Sequence, residues 1–229
     1  YAELGRLPLD IIIKTRTVGF WNRLILDKHT KIAYILYQLL KFGDNANYKW
    51  ISNIKKIFTD VGRYDIWIKQ NEVNVYSVKL LIKQILYDQF LQGWRSNLNN
   101  SSKGRNFGIF KDNIELETYF KLLPKNLYIN MVRFRTGNHK MPVEIGRWYN
   151  IEYAERKCDL CDKNTLGDEF HYLLECSYFS RDRARLIPFS YYHRPNILKY
   201  QTLLSMKDET CLINLSKFMG ILIKHFSTN

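Results

Sequence analysis

Residues 75–94, "VYSVKLLIKQILYDQFLQGW", decide the fold class. Val78, Leu81, Ile82, Ile85 and Leu86 recur at three- and four-residue steps, while Lys79, Lys83 and Gln84 fall away from them. A period of 3.6 gathers the five apolar side chains on one stripe, which an extended strand with its period of two cannot do. The string reads as an amphipathic helix, the longest in the chain. Upstream, "HTKIAYILYQLLKFG" (29–43) repeats the pattern, with Ile32, Ile35, Leu36, Leu39 and Leu40 on one broad face and Gly43 as a stop. Downstream, Leu127, Met131 and Phe134 form a third stripe, and Leu212, Leu215, Met219, Leu222 and Phe226 a fourth. The fold expected is mainly α.

Two breaks divide these helices. "SNLNNSSKGRN" (96–106) is rich in Asn, Ser and Gly without apolar periodicity, so residues 97–106 read as an exposed linker. They separate a helical domain, 1–96, from a basic helical domain, 107–229. "TGNHKMPVEIG" (136–146) is a second break. At 229 residues the chain is long enough to bury a core without disulfides. It begins at Tyr1 and not at a methionine, so it reads as a processed chain or a segment of something longer.

The charge balance, 35 Lys and Arg against 22 Asp and Glu, points to an anionic partner. No apolar run approaches the roughly 18 to 20 residues that span a bilayer, which sets membrane insertion aside.

Three of the four cysteines fall within nineteen residues. In "KCDLCDKNTLGDEFHYLLEC" (157–176), Cys158, Cys161, His171 and Cys176 form C-x2-C-x9-H-x4-C. Zinc takes four soft or borderline ligands in a tetrahedron, and two ligand pairs at these separations meet that need. The competing reading is three buried, reduced cysteines and a histidine that merely fall together. Four protein ligands leave no open position for a reactive water, so the expected Zn2+ is structural. Asp168 is placed to cap a helix carrying His171. Cys176, five residues on, falls about 140° further round an α-helix, so the helix must end or loosen there. Clustered thiols of this kind favour a reducing, intracellular setting, nucleus or cytoplasm.

The filling of this motif is acidic, with Asp159, Asp162, Asp168, Glu169 and Glu175 against Lys163. Phosphate contact is expected outside it. Residues 95–143 carry nine basic against three acidic side chains, and "SRDRARL" adds Arg181, Arg183 and Arg185. The candidate nucleic-acid contacts are Arg133, Arg135, His139, Lys140, Arg147, Arg181, Arg183 and Arg185, beside Phe107, Tyr128, Phe134, Asn138, Trp148 and Tyr149 as groups that can stack on bases or flank a phosphate track, although Phe134 also belongs to the apolar stripe. A solvated helix face is the plainer account of such a run, and a zinc-stapled protein-interaction scaffold is the plainer function. No nucleotide-binding, zinc-protease or nucleophile-elbow string occurs, and no adjacent Asp pair of the kind that holds polymerase metals, so no catalytic residue is assigned.

Residues 127–187 resemble the region that follows the reverse-transcriptase domain in non-LTR (LINE-type) retrotransposon polyproteins. The resemblance rests on an R-x-G-x-H stretch (Arg135, Gly137, His139), a "GRW" (Gly146 to Trp148), and the Cys-x2-Cys, "DE-x-H" and Cys array of Cys158 to Cys176. "YAELGRLPLDIIIKTRTVGFWNRLI" is similar, more loosely, to the post-polymerase (thumb or connection) segment of such elements. The resemblance implies an accessory region that binds RNA, DNA or both, alongside a reverse-transcriptase domain in the same polyprotein.

Overall fold

A computed structural model describes residues 1–26, 32–42, 48–70 and 74–227. The described residues are mainly helical, and their only β pairings are two isolated antiparallel bridges, Leu4 with Leu116 and Lys157 with Leu166. None of the described helices is long and apolar enough to cross a membrane. The chain forms two compact units, one of Leu7–Gly93 and one that joins Ala2–Arg6 to Trp94–Asn229.

The first unit contains α1 (Leu9–Leu26), α2 (Ile32–Phe42), α3 (Lys49–Asp60), α4 (Tyr64–Ile68) and most of α5 (Val75–Asn100). Along α5, Val78, Ile82 and Leu86 are buried, Leu81 and Ile85 half-buried, and Lys79, Lys83 and Gln84 exposed, as the spacing requires. They meet Trp21, Ile54, Phe58 and Ile66 in one core.

Of the five apolar residues read on one face of α2, only Leu40 packs. Ile32, Ile35, Leu36 and Leu39 are each more than half exposed, whereas Tyr37 is buried, with Tyr34 and Leu40 against the same core. Periodicity identifies an apolar stripe but not the side a helix presents. Here a polar chain fixes it: Trp21 Nε1 donates to the Tyr37 hydroxyl at 3.0 Å, which donates to the buried Gln70 Oε1 at 2.7 Å. Burial pushes the Tyr37 phenol up to about 12, against the lowering effect of the bond from Trp21, so the hydroxyl keeps its proton.

The expected linker at 97–106 is also corrected. Helix α5 continues to Asn100, and α6 (Gly104–Phe110) begins after a short turn. Asn and Ser are tolerated in a helix where they face solvent, and near this end Arg95 donates to the Asp112 carbonyl at 3.0 Å. Gly104 permits the tight turn, because a Cβ there would stand 2.9 Å from the Leu98 carbonyl oxygen.

The second unit continues with α7 (Tyr119–Leu122), α8 (Lys125–Arg135), α9 (Pro142–Trp148), α10 (Ser180–Leu186), α11 (Phe189–Tyr192), α12 (Ile197–Leu204) and α13 (Glu209–Ser227). Helices α8 and α13 pack most extensively, with Met131 and Phe134 against Leu215, Phe218, Met219 and Leu222. Ser216 donates to the Leu127 carbonyl at 2.6 Å and Asn130 to the Ser216 carbonyl at 3.2 Å, which sets the register of the pair.

Residues 2–6 belong here too, not to the N-terminal helices. The Glu117 amide donates to the Glu3 carbonyl at 3.0 Å beside the Leu4–Leu116 bridge. Gly5 makes the approach possible: its φ is +58° and a Cβ would lie 2.5 Å from the Leu116 nitrogen.

Candidate metal centre

The first ligand pair stands on a short hairpin. Cys158 N donates to the Thr165 carbonyl at 2.9 Å and Gly167 N to the Arg156 carbonyl at 2.8 Å, bracketing the Lys157–Leu166 bridge. Asn164 takes the left-handed φ of 49° that turns the chain between them.

The second pair stands on a helix that changes gauge. Asp168 Oδ1 accepts from the His171 amide at 2.8 Å, the cap read from the sequence. Burial raises the Asp168 carboxyl to about 6, with the His171 amide pulling the other way. Tyr172 N bonds the Asp168 carbonyl at the ordinary four-residue spacing, but Cys176 N reaches back five residues to the His171 carbonyl at 2.8 Å. Residues His171–Glu175 thus form one π-helical turn, which shortens the roughly 140° that an α-helix would put between His171 and Cys176. The loosening that the spacing demanded is a widened turn.

Together these elements place one ligand atom of each of Cys158, Cys161, His171 and Cys176 within 4.8 Å of the others, so the cluster can hold a metal ion. Cys158 and Cys176 sulfurs are 3.9 Å apart, Cys161 and Cys158 sulfurs 3.7 Å, and Cys161 sulfur and His171 Nε2 3.4 Å. A tetrahedral ion with metal–sulfur bonds of about 2.3 Å and metal–nitrogen bonds of about 2.0 Å separates its sulfurs by about 3.8 Å and sulfur from nitrogen by about 3.5 Å. The spacings fit such an ion and are far too long for a disulfide.

Backbone donors face all three sulfurs. Each sulfur receives the backbone N–H of the residue two positions on: Leu160 to Cys158 at 3.4 Å, Lys163 to Cys161 and Tyr178 to Cys176. Burial pushes the Cys161 thiol up, but the Lys163 N–H and the neighbouring sulfurs outweigh it and leave it below the usual range. Cys176 is buried more deeply and is pushed up to about 12, chiefly by burial and further by the Cys158 sulfur. Burial likewise lowers the pKa of His171, keeping the ring neutral as a ligand must be. Its Nδ1 lies 3.1 Å from Thr165 Oγ1 and 3.4 Å from Glu175 Oε2, which turns Nε2 toward the sulfurs.

The basic residues expected to contact nucleic acid divide into two groups. Arg133, Lys140, Arg181 and Arg185 are exposed, with Arg185 3.1 Å from Asp182. The others face inward. Arg135 is 1% exposed, bonded to Glu3 at 3.0 Å, 3.3 Å from Glu117, and stacked 4.3 Å from the Phe110 ring centroid. His139 Nε2 is buried 3.1 Å from Glu169 Oε1, and Arg147 is half-buried and paired with Glu144. Arg183 is 4% exposed and donates to the carbonyls of Leu173 at 2.8 Å, Tyr172 at 3.0 Å and Cys176 at 2.9 Å. A widened turn leaves its carbonyls poorly served, and this guanidinium serves them. Arg135, His139 and Arg183 are therefore corrected from phosphate contacts to internal braces, since polar groups so deeply buried need protein partners.

The glycines of these stretches have similar work. Gly137 takes a φ of +63°, and a Cβ on Gly146 would stand 2.5 Å from the Arg156 side chain. Arg156, not singled out from the sequence, donates to the carbonyls of Ile151 and Val143 at 2.9 Å each.

Reading the sequence also missed a groove between α8, α10 and α13. It is lined by Asn126, Leu127, Asn130, Arg185, Leu186, Lys217, Gly220, Ile221 and Lys224, so three cationic side chains border it, Arg185 among them paired with Asp182. Lys217 and Lys224 are seven residues apart on α13, so their shared face was legible. Comparison of the chain with protein-family models, curated proteins and solved structures finds no match.

Proposed function

We propose that the chain is a nucleic-acid-binding module, for RNA, DNA or both, stapled by a structural Zn2+ on Cys158, Cys161, His171 and Cys176. The observation that carries the reading is a groove whose lining includes Arg185, Lys217 and Lys224, where amide side chains of Asn126 and Asn130 add hydrogen-bonding capacity. Exposed Trp148 and Tyr149 supply ring faces of the kind on which unpaired bases stack. The metal, closed by four protein ligands, supplies rigidity and no open coordination position. Its acidic surround keeps phosphate at the cationic groove and away from the cluster.

On the sequence resemblance given above, the module is an accessory region of a retrotransposon polyprotein. Its neighbour would be a reverse-transcriptase domain, in the nucleus or the cytoplasm, and the chain itself would do no catalysis. A second reading, a protein-interaction domain, is favoured by the exposed Ile32, Ile35, Leu36, Leu39 and Phe42 of α2. Salt separates the two. Binding of a labelled duplex or single strand should weaken linearly on a log–log plot, with a slope of about −0.9 per duplex phosphate or −0.7 per single-strand phosphate contacted. No detectable binding to either polymer at low salt leaves the interaction domain.

A further inference from the structure

A cavity of about 280 Å3 opens elsewhere in the second unit, among α6, α9, α12 and the segment leading to His171. Its lining is acidic at Glu144, Asp168 and Glu169 and cationic at Lys103 and Arg105. Asp168 and Glu169 each commit one oxygen to the fold, Oδ1 to the His171 amide at 2.8 Å and Oε1 to His139 at 3.1 Å. A second oxygen on each retains acceptor capacity. Asn106, also in the lining, accepts from the Tyr200 hydroxyl at 2.6 Å through Oδ1, while its Nδ2 is buried with no protein partner. The Arg105 guanidinium lies 4.2 Å over the Tyr153 ring, making a flat platform on one side.

Each simple ligand fails on one of these features. A metal cation would meet Lys103 and Arg105 and has no use for an amide donor. A bare phosphate would meet three carboxylates. The complement is a flat heterocycle with N–H groups for a carboxylate, a carbonyl for the orphan amide, and a tethered phosphate for Lys103. Guanine is the base whose pairing edge sets two N–H donors beside a carbonyl oxygen, and unstacked bases lie well on guanidinium planes.

We propose that this cavity takes one unstacked guanine of a single-stranded segment. The proposal rests on the nucleic-acid-binding reading and adds to it a base preference.

The test is fluorescence anisotropy of the full chain with three short strands: all uridine, uridine with one central guanosine, and the same strand with inosine, which lacks only the 2-amino group. The guanosine strand should bind about five- to a hundredfold tighter than all uridine, and inosine should forfeit much of the gain. Ile197→Trp, which adds bulk at a half-exposed position of the lining, should erase the preference and leave the salt slope unchanged. Equal binding of all three strands by the wild-type chain overturns the pocket and leaves the nucleic-acid reading standing. No binding of any strand at low salt overturns both. Free guanosine monophosphate competing as strongly as the guanosine strand would assign the cavity to a nucleotide and overturn the strand.

Discussion

Replacing Arg183 with methionine keeps most of the side-chain length and removes the guanidinium. In the native fold that group, 4% exposed, satisfies three carbonyls of the turn joining His171 to Cys176. A net hydrogen bond from a charged donor contributes about 1.5 to 3 kcal/mol, and a buried carbonyl left without a donor costs about 1 to 3 kcal/mol. Three such bonds do not add fully, because methionine relieves the burial of the charge and water reaches part of the turn, so the expected loss is about 3 to 5 kcal/mol. That is a large share of the 5 to 15 kcal/mol typical of a domain. Urea unfolding in saturating zinc, followed by helical circular dichroism, should show the midpoint falling with its slope unchanged. Arg181→Met, on an exposed neighbour, should shift stability by less than about 0.5 kcal/mol. If Arg183→Met leaves the midpoint in place and instead lowers the salt slope of nucleic-acid binding, the bracing role is refuted.

Three further outcomes are expected. Because burial holds the Cys176 thiol up to about 12, the metal-free protein carries that proton at neutral pH; zinc must displace it, so affinity should fall as pH falls, with proton release measurable by calorimetry in buffers of different ionisation enthalpy. Gly5→Ala, at a φ of +58° with backbone 2.5 Å from the new Cβ, should destabilise by more than about 1 kcal/mol, whereas Gly108→Ala, with nothing within 4 Å in helix α6, should stabilise by up to about 1 kcal/mol, both read by thermal melts. Tyr37→Phe should cost about 1 to 3 kcal/mol by stranding Trp21 Nε1 and Gln70 Oε1, while Ile35→Lys on the exposed face of the same helix should cost little.

Helix periodicity carried the fold where one face is broadly apolar and the other charged, as along α5 and α13. It failed at α2, where the deciding group is a tyrosine hydroxyl answering partners on α1 and at Gln70, far apart in sequence. Ligand spacing carried the metal cluster because chelation is local: two knuckle cysteines and a histidine–cysteine pair meet with only one turn widened. Charge was the least legible property. Arg135 and Arg183 look like Arg133 and Arg185 on paper, and only the tertiary partners Glu3, Glu117 and the turn carbonyls separate the braces from the exposed cations. The R-x-G-x-H stretch proves architectural: a buried ion pair, a left-handed glycine and a histidine on Glu169.

The most direct test of the account is X-ray absorption at the zinc edge on the purified chain. Three sulfurs at about 2.3 Å and one nitrogen at about 2.0 Å around one zinc per chain is the expected shell. A shell of oxygen and nitrogen alone, or no bound zinc in a chain that still folds, would contradict it.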